Sequence, residues 1–438
     1  MALPGRGEEP LSPPGGYRDL GPNGFRRNSV VGGGRAHAVG AIGCESRLQH
    51  HAVPGADGAG RHRRQAGAGA AGSWRVPHGL RGNDVARASE SAATAVTSAP
   101  PLPLSVLDLS PVAAGSTPGA ALRRSLDLAR RVEEWGYARY WVAEHHFAAV
   151  AGSSPDVLVG LIAAGTNTIR VGSAAILVGH RTPISVVEAA GTVDALYPGR
   201  VDVGLGRSAY RVVEPGSRRA ASVAATSFPG ADPPPFASFV DDVRALLAGT
   251  YERDGHALTA TPGAGAGVDL WILGSSGGES ARVAGERGLP FAANYHVSPT
   301  TTDDAVAAYH AAFRPSERLD RPYVVVSADV VVAEDDEAAR RLAAGYGRWV
   351  HGILAGDGAQ PYLAEPEPLT DDEAAVVETR VATQIVGSPA TAAARLRELA
   401  ERTGADELLV TTLTHDQEDR CRSYRLLARE WGLPALRP

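Results

Sequence analysis

From Pro101 onward the chain alternates short, largely apolar runs of strand type with stretches of helical spacing, and it does so eight times. The runs are Leu104–Leu109, Ala138–Val142, Ile169–Val178, Val201–Leu205, Leu270–Leu273, Pro290–Ala293, Tyr323–Val332 and Leu408–Thr412. The first intervening stretch is typical: Thr117-Pro118-Gly119 opens it, Leu122, Leu126, Ala129, Val132 and Trp135 recur at helical spacing, and Gly136 closes it. Strands that alternate with helices predict a parallel sheet with right-handed crossovers. Eight such units predict an α/β protein of the (β/α)8 or TIM-barrel type, with long βα-loop insertions over 208–235 and within 333–385. A doubly wound open sheet is the rival, but it usually needs a Gly-rich first βα turn, and Leu109–Pro118 offers only Gly115.

Residues 1–100 read differently. They hold 19 Gly, 8 Pro, 12 Arg and 7 acidic residues, with few large aliphatic side chains and neither regular period. Such a composition cannot bury enough surface to offset chain entropy, which predicts a disordered extension followed by one barrel domain over 101–438. The Arg61-His62-Arg63-Arg64 cluster reads as a solvated charge run, with RNA or an acidic partner as the alternative. Met1 is the only methionine, so a start further along would need another codon, for example at Val96.

Composition narrows the function. The formal net charge of -6 argues against nucleic acid or an anionic membrane as partner. Two cysteines, Cys44 and Cys421, build no disulfide framework and suit a reducing cytoplasm. No apolar run approaches the roughly 18 residues of a membrane span, and the first residues lack a secretory h-region. The chain contains no lysine, which excludes a lysine Schiff base.

In a barrel the chemistry lies where strands end. The second strand runs into Glu144-His145-His146-Phe147. Alternation puts Glu144 and His146 on one side and His145 on the other, so no single metal is expected there. One histidine suits proton transfer near neutral pH; the alternative is a pair of structural histidines bonded to loop backbone. The fourth strand ends in Gly204-Leu205-Gly206-Arg207, where glycine admits a ligand and a guanidinium suits phosphate, although an arginine facing a helix C-terminus reads equally well. The fifth ends in Gly274-Ser275-Ser276-Gly277-Gly278 ahead of a helix, the makings of an anion nest. The two adjacent ends could converge on one monophosphate.

These residues carry a resemblance. Trp141-Val142-Ala143-Glu144-His145-His146-Phe147, Arg170-Val171-Gly172-Ser173-Ala174-Ala175-Ile176, and Pro198-Gly199-Arg200 followed by Gly204–Arg207 occur in the order and spacing of the bacterial luciferase-like, flavin-dependent monooxygenases. Gly274-Ser275-Ser276 ahead of Gly288-Leu289-Pro290, and Val386-Gly387-Ser388-Pro389, are also similar to members of that family. The resemblance implies a barrel that binds reduced FMN at its C-terminal strand ends, with a separate flavin reductase as partner. Through a C4a-hydroperoxyflavin, O2 would oxygenate a small organic substrate.

It further implies that His145 handles the proton, that Ala174-Ala175 is joined by a non-prolyl cis peptide beneath the flavin ring, and that Arg207, Gly274, Ser275 and Ser276 hold the phosphate. Gly206 stands where luciferase has its reactive cysteine, and Ser276 where it has a glutamate, so thiol chemistry does not carry over. His146 and Phe147 are expected to line the substrate pocket, and a homodimer is expected. An F420-dependent hydride-transfer enzyme on the same barrel, a non-catalytic flavin-binding barrel, and a protein acting through its 1–100 extension are the alternatives.

Overall fold

The computed structural model describes residues 102–207, 216–227 and 234–436. The 1–100 stretch and its expected disorder lie outside these residues. The chain runs from β1 (Leu104–Asp108) through α1 (Pro118–Glu134), β2 (Arg139–Val142), α2 (Pro155–Gly165), β3 (Arg170–Leu177) and α3 (Pro183–Leu196) to β4 (Val201–Gly206). After α4 (Arg218–Thr226) and α5 (Phe236–Ala248), a small antiparallel hairpin of β5 (Glu252–Arg253) and β6 (His256–Ala257) precedes β7 (Asp269–Gly274). Then come α6 (Glu279–Glu286), β8 (Phe291–Ala293), α7 (Thr302–Ala312), β9 (Val324–Val332), α8 (Asp336–Leu342), α9 (Tyr346–Leu354) and α10 (Asp371–Thr383). The chain finishes with β10 (Ile385–Gly387), α11 (Pro389–Thr403), β11 (Glu407–Thr411) and α12 (Gln417–Trp431).

Local chemistry sets these boundaries. Thr117 caps α1 by accepting from the Ala120 N–H at 3.2 Å, and Pro118 fills the first turn, where no amide donor is needed. Ser388 and Asp416 cap α11 and α12 in the same way, and both helices end on left-handed glycines, Gly404 and Gly432.

Eight parallel strands form a closed ring in the order β1-β2-β3-β4-β7-β8-β9-β11, and β11 pairs back onto β1 through Leu104↔Leu408. The barrel is therefore closed, and the open doubly wound sheet does not occur. β10 lies outside the ring, paired only with the far end of β9. The sequence pattern does not reveal it, nor the β5–β6 hairpin, nor α4, which falls within the stretch expected to be loop. Two- and three-residue strands are too short to display a period, and the prolines at 233–235 mask the helix before them.

Alternation along each strand sorts the core into two layers. Leu104 and Val106 face the helices, where Leu128 and Val132 of α1 cover them, while Leu107 joins Trp141, Trp271, Leu273, Val325 and Leu409 inside the ring. At the N-terminal end the interior turns polar. Arg139 donates to Asp202 at 2.9 Å and to Glu407 at 3.1 Å, and stacks 4.7 Å over Trp271. Burial alone would raise the pKa of Asp202, but Arg139 and Arg170 outweigh it and hold the carboxylate ionised. This ionic plug closes the floor and leaves the C-terminal strand ends as the open face. Among the described residues no helix is long and apolar enough to cross a membrane.

Candidate active site

A cavity of about 610 Å³ opens over those strand ends. It is lined by His145 and His146 after β2, Ala174 and Ala175 of β3, Gly206 and Arg207 after β4, and Gly274, Ser275 and Ser276 after β7. The residues expected at four different strand ends thus share one concavity. Phe147 does not: its side chain is largely exposed, its backbone is left-handed (φ 55°), and it is absent from the cavity wall. β2 ends at Val142, and the turn that follows carries Phe147 outward. A larger groove of about 760 Å³ lies in the outer helical layer between α9 and α10 and contains none of these groups.

One wall is built on Glu144. Its buried carboxylate accepts the Leu177 N–H at 2.9 Å, lies 3.0 Å from His146 Nε2 and 3.6 Å from the Arg181 guanidinium. Glu144 and His146 do meet, and the carboxylate holds His146, but β2 ends at Val142, so strict alternation lapses and His145, expected on the other side, lines the same cavity. Among the described residues His145 is held only through its backbone, its N–H donating to the Gly152 carbonyl at 3.1 Å, and its ring faces the cavity. Crowding on the cavity wall strips water from the ring and pushes its pKa down; the neighbouring His146 adds to this, while Glu144 opposes it. A ring that is neutral at physiological pH can accept a proton as well as pass one on.

The floor of the cavity is the break in β3. Pairing with β4 shifts register between Ser173 and Ile176, and the peptide between Ala174 and Ala175 is cis. The irregularity brings both alanines to the cavity. Glycine is required opposite: a Cβ on Gly204 would collide with the Ser173 carbonyl oxygen, and one on Gly206 would press on Ala175 Cβ at 3.0 Å.

At the other end, Arg207 reaches over the first turn of α6. Its Nε donates to Ser280 Oγ at 3.1 Å and its Nη1 to Glu279 at 2.6 Å. The cap residue Gly278 has no side chain, so it offers the first-turn amides of α6 no side-chain cap. The arginine, two serines and free amides suit a phosphate. Glu279 does not, since it already holds one arm of the guanidinium.

Reasoning from the sequence missed the segment after β8. Asn294, His296 and Thr301 all line the cavity. Thr301 donates to the Ser275 carbonyl and so buttresses the nest, and His296 Nδ1 lies 2.6 Å from Ser327 Oγ of β9. Burial drives the pKa of His296 down to about 3, with Arg380 and His145 contributing. The signal was available, because Asn294-Tyr295-His296 follows an expected strand directly. His180, also on the wall, places Nδ1 2.8 Å from the Thr226 carbonyl of α4, which fastens α4 beside the cavity. No cluster of metal-ligating side chains occurs among the described residues.

Fold and cleft together define a (β/α)8-barrel protein with a cavity over its C-terminal strand ends. Residues 102–407 match the model of the luciferase-like monooxygenase family. The protein YvbT of Bacillus subtilis is 39% identical over 337 residues, covering 75% of this chain and 96% of that protein. A luciferase-like monooxygenase of Escherichia coli K12 is 33% identical over 327 residues, covering 74% and 95%. The chain belongs to the luciferase-like monooxygenase family, and membership implies an oxidoreductase acting on a small molecule with O2.

Among solved structures, apo-MsnO8 superposes with a TM-score of 0.66 at 35% identity, covering 76% of this chain and 99% of that one. At lower identity the fold alone is shared. The oxygenating constituent of 3,6-diketocamphane monooxygenase from Pseudomonas putida, in complex with FMN, gives 0.53 at 18%, covering 77% and 100%. The F420-dependent tetrahydromethanopterin reductase of Methanopyrus kandleri gives 0.52 at 16%, covering 75% and 98%.

Proposed function

We propose that this protein is a flavin-dependent monooxygenase that uses reduced FMN, delivered by a separate reductase, and O2 to oxygenate a small organic substrate. One observation carries the reading: a single cavity brings Arg207, Ser275 and Ser276 ahead of α6 together with Ala174-Ala175 and His145. A reduced flavin bound there would supply the two electrons with which one atom of O2 enters the substrate and the other leaves as water. Arg207 and the α6 amides would hold its phosphate, Ala174-Ala175 would support the ring, and Leu107, Leu109 and Leu273 would keep water from it. His145 holds or returns the proton that oxygen transfer requires. His146, fixed by Glu144, shapes the substrate side.

We further propose a cytoplasmic homodimer. Val157 and Leu161, one turn apart on α2, are more than half exposed, an apolar strip that a second copy would cover.

The test is an anaerobic titration of the purified protein with reduced FMN and, separately, reduced F420, followed by oxygen. Reduced-FMN binding and slowed, long-lived reoxidation on mixing with oxygen support the reading. Tight F420 binding without it selects the hydride-transfer enzyme. Binding without any product when reductase, NADH and candidate substrates are supplied selects a flavin-binding protein that does not turn over.

A further inference from the structure

The segment after β8 carries a group that the proposed chemistry has not used. His296 lines the same cavity as His145, and its Nδ1 lies 2.6 Å from Ser327 Oγ. The Ser327 hydroxyl has one proton, and it also lies 3.3 Å from the Ala293 carbonyl, which can only accept. Both contacts are hydrogen bonds together in just one arrangement: Ser327 donates to Ala293, and His296 donates its Nδ1–H to Ser327. The second ring nitrogen, Nε2, then carries a lone pair, and among the described residues no protein group donates to it.

We propose that His296 is a ligand-binding residue of this cavity, a neutral imidazole held in the Nδ1–H tautomer by Ser327 that presents Nε2 as an acceptor to an N–H or O–H group of the bound ligand. The pairing would exclude a carbonyl or carboxylate at that point, because two acceptors facing each other repel. Two sources offer such a donor: the N–H edge of the flavin ring, or a hydroxyl, amide or other protonated group on the substrate side. The inference rests on the proposed flavin site for its ligand, but the tautomer is a property of the protein alone. The ring stays neutral because burial, Arg380 and His145 all disfavour its cation.

The experiment has two parts. In the first, long-range ¹H–¹⁵N spectra of the full chain labelled at histidine, without ligand, read the tautomer of His296 from about pH 5 to 9. The expected result is a neutral Nδ1–H ring throughout, which becomes a mixture in Ser327→Ala. An Nε2–H tautomer, or a cation near pH 6, overturns the proposal.

In the second, His296→Asn keeps a donor at the Nδ1 position and loses Nε2, whereas His296→Gln places an amide oxygen near Nε2. Gln should retain what Asn loses, by about five- to tenfold, the scale of one neutral hydrogen bond. If the difference appears in FMN affinity, the flavin supplies the donor. If FMN affinity is unchanged and, with reductase, NADH and an oxygenated substrate supplied, more of the oxygen is lost as hydrogen peroxide in the Asn variant than in the Gln variant, the donor is on the substrate side. Any other ranking, including equal loss in both variants, marks a structural histidine and overturns the proposal. Failure of the wild-type protein to bind FMN removes the flavin reading, while the tautomer spectra still decide the state of His296.

Discussion

Glu279→Gln tests the phosphate end of the cavity in a way that loss of Arg207 alone does not. The Glu279–Arg207 pair is short, 2.6 Å, but both side chains are about a third exposed (33% and 32%), so the pair contributes only about 0–1 kcal/mol. A phosphate gripped by the same guanidinium would stand roughly 5–7 Å from the carboxylate. At the high effective dielectric of a part-exposed site, that is repulsion of roughly 1–2 kcal/mol, part of it screened by salt. Neutralising Glu279 while keeping its shape should therefore tighten FMN binding about fivefold at low ionic strength and less at high.

Riboflavin, which shares the ring and lacks the phosphate, should bind both proteins equally. Arg207→Ala should weaken FMN by about 1.5–3 kcal/mol, the scale of a charge-assisted hydrogen bond, and again leave riboflavin alone. Fluorescence titration of both ligands against the three proteins measures this directly. If Glu279→Gln weakens FMN, or if riboflavin responds as FMN does, the phosphate binds elsewhere and the reasoning fails.

His145→Ala should keep fold and FMN affinity while product yield falls by ~10²–10⁴-fold, with partial rescue by imidazole; His146→Ala, read in the same stopped-flow series, should lose far less. Asp329, buried between the Tyr346 hydroxyl and Arg380, has its pKa raised by burial to about 6, from an ordinary 3.8. Since the folded value is the higher one, its contribution is fully present below about pH 3.8 and is lost as pH rises through 6, on the order of 2–3 kcal/mol. Urea unfolding of Asp329→Asn should show a flatter stability profile between about pH 4 and 6.5 than the parent. Gly204→Ala drives a methyl into the Ser173 carbonyl, a backbone group that cannot yield, and should cost several kcal/mol of stability or prevent folding, as circular dichroism would report.

The barrel was legible because most of its strands are long enough to show as apolar runs and several crossover helices, α1, α3, α11 and α12 among them, carry capping residues. Three strand ends were legible as well, since Glu144–His146, Ala174-Ala175 and Arg207 each sit within a dense local motif. What escaped depended on residues distant in sequence. Glu279 reads as an ordinary first-turn acid; only the closure of β4 against β7 sets it on Arg207. His296 looks like any loop histidine until β9 brings Ser327 beneath it. Phe147 was expected in the pocket from the resemblance alone, and the left-handed turn after Val142 takes its side chain out.

The polar floor has a consequence for how the protein is made. Glu407, on the last strand, accepts from Ser105 on the first, from Arg139 on the second and from Tyr323 at the edge of the seventh. A chain emerging from the ribosome must therefore hold Arg139 matched by Asp202 alone until β11 arrives some three hundred residues after β1. Contacts of such separation form late, so the nascent barrel is an unclosed sheet with two exposed edges for most of its synthesis. Chains cut short before Glu407 should accordingly aggregate rather than persist as partial enzymes. Chaperone demand should depend on completion of the ring more than on any one helix.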